Sequence, residues 1–266
     1  MDSSHDVEWP GTRSGSSGPL ICLLHGFLGC KDDWSGITAG LSADNRCIAY
    51  DLPGHGSNLA PHGINEMSSA IKELDVQRHL TFREPWHLVG YSMGGRFALH
   101  YALMFPQSVL SLTLISASPG IEDESVREKR RKDDAAWAVK IQMLPPSLFL
   151  DEWYRQNVFA SLESNRELKE KIISSRLNYR PRQMAQIVQN WGQGNVPSMW
   201  HRITELMCPV QIIAGHDDET YLHHVARMRN LSPGAQVVMV EHAGHTVHLE
   251  QPGEIVKCIR NFTGKS

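Results

Sequence analysis

The stretch Gly90-Tyr91-Ser92-Met93-Gly94-Gly95-Arg96 restricts this chain more than any other. An apolar run, residues 86–89, leads into it, and an amphipathic run, residues 97–103, leads out of it. It therefore joins a strand to a helix. A serine set between two glycines at such a junction reads as a nucleophile elbow. The turn is so tight that its neighbours must be small, and it lifts the serine hydroxyl to the top of a sheet. The chain is thereby limited to folds in which a buried strand runs straight into a helix.

The rest of the sequence repeats that alternation. Short apolar runs at residues 20–24, 47–50, 86–89, 109–115, 210–214 and 237–240 alternate with helical patterns at 33–41, 66–80, 92–105, 221–229 and 253–262. Such alternation predicts an α/β chain with a mostly parallel sheet of six or seven strands and crossover helices. It breaks between residues 119 and 202, where helical patterns at 122–143, 148–162, 167–177 and 182–191 follow one another without a strand. This segment reads as a helical cap (119–202) inserted into a core made of residues 19–118 and 203–266. Residues 1–18 read as a loose, polar lead-in with neither the apolar core of a secretory signal nor the make-up of a transit peptide.

Composition narrows the function classes. A net charge of −3 over 266 residues gives no reason to expect nucleic acid or an anionic membrane as partner. No apolar run approaches the roughly 20 residues of a membrane span. The five cysteines are scattered and never spaced C-x-x-C, which predicts reduced thiols in a cytoplasmic protein. Fourteen histidines raise the question of a metal, but no H-E-x-x-H or similar spacing occurs, and the adjacent His223 and His224 do not share a helix face. No metal is expected.

An elbow serine needs a base and a group that orients the base, and behind an elbow of this kind they follow in the order serine, acid, histidine. After the run ending at residue 214 comes Gly215-His216-Asp217-Asp218, and after the run ending at 240 comes Glu241-His242-Ala243-Gly244-His245. Asp218 fits the G-x-x-D spacing and is preferred as the acid over Asp217. His245, behind the small Ala243-Gly244 pair, is the expected base, with His216, His242 and His248 as turn, loop or surface residues. The oxyanion hole is assigned to the backbone amides of Phe27, in Leu24-His25-Gly26-Phe27-Leu28-Gly29, and of Met93. His25 reads as structural. The loop Asp51-Leu52-Pro53-Gly54-His55-Gly56-Ser57 receives no chemistry.

These motifs, together with Asp151-Glu-Trp-Tyr-Arg-Gln-Asn-Val-Phe-Ala-Ser-Leu162 in the cap, resemble one family of the α/β-hydrolase fold. It is the 2-succinyl-6-hydroxy-2,4-cyclohexadiene-1-carboxylate synthase (MenH) family of menaquinone and phylloquinone biosynthesis. The resemblance runs from about residue 20 to 252. It implies a lyase, not a hydrolase. Such an enzyme removes a ring proton from 2-succinyl-5-enolpyruvyl-6-hydroxy-3-cyclohexene-1-carboxylate and expels pyruvate without a cofactor. Ser92 then acts as a base assisted by His245 and Asp218.

The resemblance also assigns substrate binding to Tyr91, Arg96, Arg130, Trp153, Phe159 and Arg176. Paired guanidinium hydrogen bonds suit a small polycarboxylate substrate. Spacing alone gives a different account of Arg130, as one of a solvated helix face paired with Asp134 at i, i+4. Arg180 is a rival to Arg176. The turn Gly215-His-Asp-Asp-Glu-Thr220 departs from the family pattern, which carries glutamate after the glycine and lysine near the end. The alternative reading is a serine carboxylesterase or C–C bond hydrolase, which would gain nothing from buried cations. The oligomeric state, monomer or dimer, stays open.

Overall fold

The computed structural model describes residues 8–59 and 66–264. Seven strands form one sheet: β1 (Gly11–Ser14), β2 (Leu20–Leu24), β3 (Arg46–Tyr50), β4 (Trp86–Tyr91), β5 (Val109–Ile115), β6 (Val210–Gly215) and β7 (Gln236–Val240). Their order is β1-β3-β2-β4-β5-β6-β7, and all pairs are parallel except β1 with β3. The core helices are α1 (Ser35–Leu41), α2 (Met67–Thr81) and α3 (Met93–Met104). Between β5 and β6 come α4 (Glu124–Met143), α5 (Pro146–Trp153), α6 (Arg166–Arg176) and α7 (Pro181–Asn190). The chain ends with α8 (Glu219–Leu231), α9 (Val247–Glu250) and α10 (Pro252–Thr263).

The alternating side chains of β2 show why the sheet is apolar on both faces. Leu20, Cys22 and Leu24 join one buried cluster with Phe97 of α3 and Ile71 and Leu74 of α2. Ile21 and Leu23 join a second cluster with Ile37 and Leu41 of α1 and Ile255 and Ile259 of α10. A parallel sheet covered by helices on both sides requires near-continuous apolar strands, and β2 is buried throughout.

Strand β1 corrects the expected lead-in. Residues 1–7 lie outside the described residues, but Gly11–Ser14 pair antiparallel with β3, from Gly11 opposite Tyr50 to Ser14 opposite Cys47. The strand is held by backbone bonds at an exposed sheet edge, so its sequence Gly-Thr-Arg-Ser needs no apolar alternation. Trp9 anchors it. Its ring is buried edge-on against Tyr50 at 6.0 Å, and its backbone N–H donates to Gln77 Oε1 at 2.8 Å.

The insertion between β5 and β6 is helical. Asp123 caps α4 by accepting from Val126 N–H at 3.0 Å, and Asn165 caps α6 by accepting from Leu168 N–H at 3.1 Å. α7 opens on Pro181, which lacks the N–H that a first turn leaves unused. The pattern at 148–162 splits into α5 and a 3-10 helix, Asn157–Ser164. Helices α4 and α7 lie against each other. Among the described residues no helix is long and apolar enough to cross a membrane.

Candidate active site

The elbow is strained where the chemistry sits. Ser92 has φ 50° and ψ −111°, outside the regions a residue with a Cβ prefers, a conformation that costs on the order of 1–3 kcal/mol. The glycines make it possible. A Cβ on Gly90 would lie 2.3 Å from Gly94 O, and one on Gly94 would lie 2.3 Å from Leu24 O and 2.4 Å from His25 O. The Ser92 N–H is fixed by Ile115 O at 2.9 Å.

Three side chains from three strand ends then meet. Ser92 Oγ lies 3.1 Å from His245 Nε2, and His245 Nδ1 lies 2.8 Å from Asp218 Oδ2. With Nδ1–H donating to Asp218, Nε2 is the free base aimed at the serine. Asp218 and His245 are both buried. Asp217, the rival acid, is exposed, and among the described residues its carboxylate meets only His216, at 3.5 Å. Glu250 holds the histidine loop in place by accepting from Gly244 N–H at 3.1 Å and from Thr246 Oγ1 at 2.7 Å.

Neither the Phe27 nor the Met93 backbone N–H donates a hydrogen bond among the described residues. Met93 opens α3, where N–H groups have no partner inside the helix. Phe27 sits in a turn closed by Gly29 N–H on Gly26 O at 3.0 Å. Behind it, His25 is structural. Its Nδ1 meets Gly26 O at 2.7 Å and its Nε2 accepts from Leu52 N–H at 3.0 Å. Burial pushes it down to about 4, so the ring is neutral.

A cavity of about 380 Å³ opens above Ser92 and His245. One wall is aromatic: Phe27, Trp153 and Phe159. The other carries Arg96 and Arg130, with Tyr221, Gln193 and His224. Arg96 is 6% exposed and forms no ion pair among the described residues. Its one hydrogen bond runs from Nη2 to Trp191 O at 3.2 Å, and its Nε is buried without a partner. Burial, with Arg130 nearby, pushes this guanidinium down to about 10.

Arg130 answers to both accounts of it. Its Nε donates to Asp134 Oδ1 at 2.7 Å, as i, i+4 spacing predicts, and the same side chain lines the cavity. Asp134 is buried, and burial outweighs Arg130 in raising its carboxyl.

Two of the residues that the resemblance assigns to substrate binding lie beside this cavity and not on its lining. Tyr91 does not line this cavity. It turns to the opposite side of the strand end, where its ring lies 4.0 Å from that of His248 and 5.4 Å from that of His245. Arg176 does not line it either. Both its Nη groups are 2.7 Å from the Asp33 carboxylate, and the pair is buried. Both residues instead border a recess of about 60 Å³ that also touches Ser92 and His245. Arg180 is further out, donating to Gly56 O at 3.0 Å. His248 also departs from its expected surface place. It is 1% exposed, between Tyr91 and Trp34.

Comparison with known proteins decides the kinship. A family model described as alpha/beta hydrolase fold matches residues 19–252. A putative 2-succinyl-6-hydroxy-2,4-cyclohexadiene-1-carboxylate synthase of Bacillus subtilis is 32% identical, over 93% of this chain and 90% of that protein. The chain belongs to the α/β-hydrolase fold family, among its 2-succinyl-6-hydroxy-2,4-cyclohexadiene-1-carboxylate synthases. The solved structure of MenH from S. aureus superposes with a TM-score of 0.91 at 30% identity, covering 97% of this chain and 98% of that one. Protein PHYLLO of Arabidopsis thaliana, a chloroplastic protein, is 28% identical over 97% of this chain, which spans only 16% of that much longer protein.

Sequence reasoning missed part of the cationic wall of this synthase-type cavity. Tyr221 lies three residues after Asp218, in the first turn of α8, with its ring 4.6 Å from that of His245. That spacing was the available signal. Trp191, Gly192 and Gln193 reach the cavity from the end of α7, and only the packing of the insertion onto the core puts them there.

Proposed function

We propose that this chain is a lyase that eliminates pyruvate from 2-succinyl-5-enolpyruvyl-6-hydroxy-3-cyclohexene-1-carboxylate. The product is 2-succinyl-6-hydroxy-2,4-cyclohexadiene-1-carboxylate. The observation that carries this reading is Arg96, a buried guanidinium without a carboxylate partner that lines the same cavity as Ser92. A buried cation is costly unless it meets an anion, so a cavity holding one selects anionic substrates. Neutral esters gain nothing from it.

The reaction needs no water and no co-reactant, because the atoms of the substrate divide between the two products. Ser92 Oγ, its own proton drawn toward His245 Nε2, takes the ring proton. The electron pair left on carbon spreads toward the neighbouring carbonyl, where the Phe27 and Met93 amides supply two N–H donors. The double bonds shift, the C–O bond breaks with its electron pair going to the leaving oxygen, and the released pyruvate enolate takes up a proton at carbon, returned from the His245–Ser92 pair, to become pyruvate. Asp218 holds the His245 tautomer and stabilises the imidazolium while it carries the proton. Arg96 and Arg130 receive carboxylates of the substrate. Trp153 and Phe159 cover its ring from the opposite wall.

In this reading residues 119–202 act as a cap over a core of residues 19–118 and 203–266. The protein works on a small polycarboxylate in the cytoplasm, without nucleic acid or membrane as partner. The test is to supply the pyruvyl-bearing cyclohexene and, separately, p-nitrophenyl acetate, and to follow pyruvate and nitrophenolate. Pyruvate release well above ester cleavage is expected. Fast ester turnover with no pyruvate would replace this reading with a serine hydrolase.

A further inference from the structure

Tyr221 lies at the cationic end of the cavity, and none of the chemistry above uses it. It is 6% exposed and borders the cavity alongside Arg96, Arg130 and Gln193. Its ring is fixed by two imidazoles, 4.6 Å from that of His245 and 5.5 Å from that of His224. Among the described residues the phenol oxygen has one hydrogen-bond partner, Gln193 Nε2 at 3.5 Å, and an amide N–H can only donate. That contact uses the acceptor side of the oxygen. The phenolic hydrogen has no acceptor among the described residues, so it is left to point into the cavity.

The same loop also presents Trp191 O to Arg96. Arg96 therefore spends part of its donor fork on the protein and has fewer N–H groups for a ligand. A carboxylate has two oxygens with about four acceptor sites between them. A guanidinium partly engaged elsewhere does not saturate them, and Tyr221, on the lining of the same cavity, has a phenolic hydrogen to offer.

We propose that Tyr221 is a specificity-determining residue, donating its phenolic O–H to the substrate carboxylate that Arg96 receives, so that Arg96, Arg130 and Tyr221 form a three-sided anion clamp. The assignment rests on the polycarboxylate reading of this cavity. Burial raises the phenol above its ordinary value and keeps its hydrogen in place, against the opposing pull of the Arg96 and Arg130 charges. An O–H donor adds what the arginines lack. It is rigid, ring-anchored and directional, and it rewards only an acceptor at one place.

Tyr221→Phe removes one oxygen and leaves the ring against His245, so the triad keeps its packing. A hydrogen bond to a charged group is worth about tenfold or more in binding. In the variant, KM for the pyruvyl-bearing cyclohexene should rise about tenfold while kcat falls less than about threefold. Calorimetric titration with succinate, a simple dicarboxylate, should show Kd weakened about five- to tenfold against the wild type. A KM and a succinate Kd equal to the wild type's would overturn the clamp, as would a wild type that does not bind succinate. If succinate binding depends on Tyr221 while the wild type releases no pyruvate, the clamp stands and the lyase reading fails.

Discussion

Arg96, on the helix that starts at the nucleophile, donates to the backbone carbonyl of Trp191 in the helical insertion at 3.2 Å. One buried guanidinium thus links the elbow to the insertion, whose residues line the same cavity. A backbone carbonyl carries a partial charge only, and the nearby Asp134 carboxylate is bonded to Arg130, so Arg96 makes no direct ion pair among the described residues and can take one from a substrate.

Arg96→Ala should therefore lower kcat/KM for the pyruvyl-bearing cyclohexene about 100-fold or more, and for p-nitrophenyl acetate far less. Steady-state kinetics on the two substrates make the comparison. Equal losses on both would reduce Arg96 to a structural tie between α3 and the insertion.

The two adjacent aspartates give a sharper contrast. Asp218 is buried against His245 at 2.8 Å, whereas Asp217 is exposed. Asp218→Asn removes the acceptor that selects the imidazole tautomer and should lower kcat about 10³-fold or more. Asp217→Asn should stay within about twofold, the size expected for a solvated turn residue. The reverse pattern in pyruvate-release assays would make Asp217 the acid.

What the sequence made legible was local. The elbow, the loops after β6 and β7 and the order of serine, acid and histidine all lie within a few residues of a strand end, where parallel-sheet topology fixes the direction of each side chain. What stayed hidden was non-local or weakly patterned. Arg176 is 143 residues from Asp33, and no spacing rule joins them. Tyr91 is next to Ser92 in the chain, yet along a strand neighbours face opposite ways, and its ring goes toward His248. Strand β1 carries no apolar signal because an edge strand is held through its backbone. Spacing did give the Arg130–Asp134 pair, but not the cavity that Arg130 borders, which depends on how α4 lies against α7.

The buried Arg176–Asp33 pair should act on stability first. Both side chains are under a tenth exposed. Burial works against the charge on Arg176, but Asp33 and Tyr154 raise the guanidinium well above its ordinary value. Asp33→Asn would strand a buried cation and should cost about 3–5 kcal/mol in urea unfolding. The double variant Asp33→Leu/Arg176→Met should cost less than either single change, because no charge is left unpaired. Strict additivity, or single losses below about 1 kcal/mol, would mean that the pair is solvated in solution.

His248 gives the pH dependence. Neither of its ring nitrogens has a hydrogen-bond partner among the described residues, and burial lowers it to about 3 from an ordinary 6.5, with Asp33 opposing and Arg176, His245 and His25 adding to the effect. Folded His248 thus stays neutral where the unfolded chain binds a proton. Its contribution to stability is full above about pH 6.5. As pH falls below that, the unfolded state gains the proton, and stability drops by up to about 1.4 kcal/mol per pH unit toward the folded value. His25 and His55, lowered to about 4 and about 3, add slopes of the same sign. His248→Phe removes the titrating group without breaking a hydrogen bond. Urea unfolding at pH 7, 6 and 5 should find the variant within about 1 kcal/mol of the wild type at pH 7, with a pH slope shallower by about one proton. An unchanged slope would mean that His248 holds a proton in the folded protein, and the recess behind Ser92 would then contain one more cation than its geometry implies.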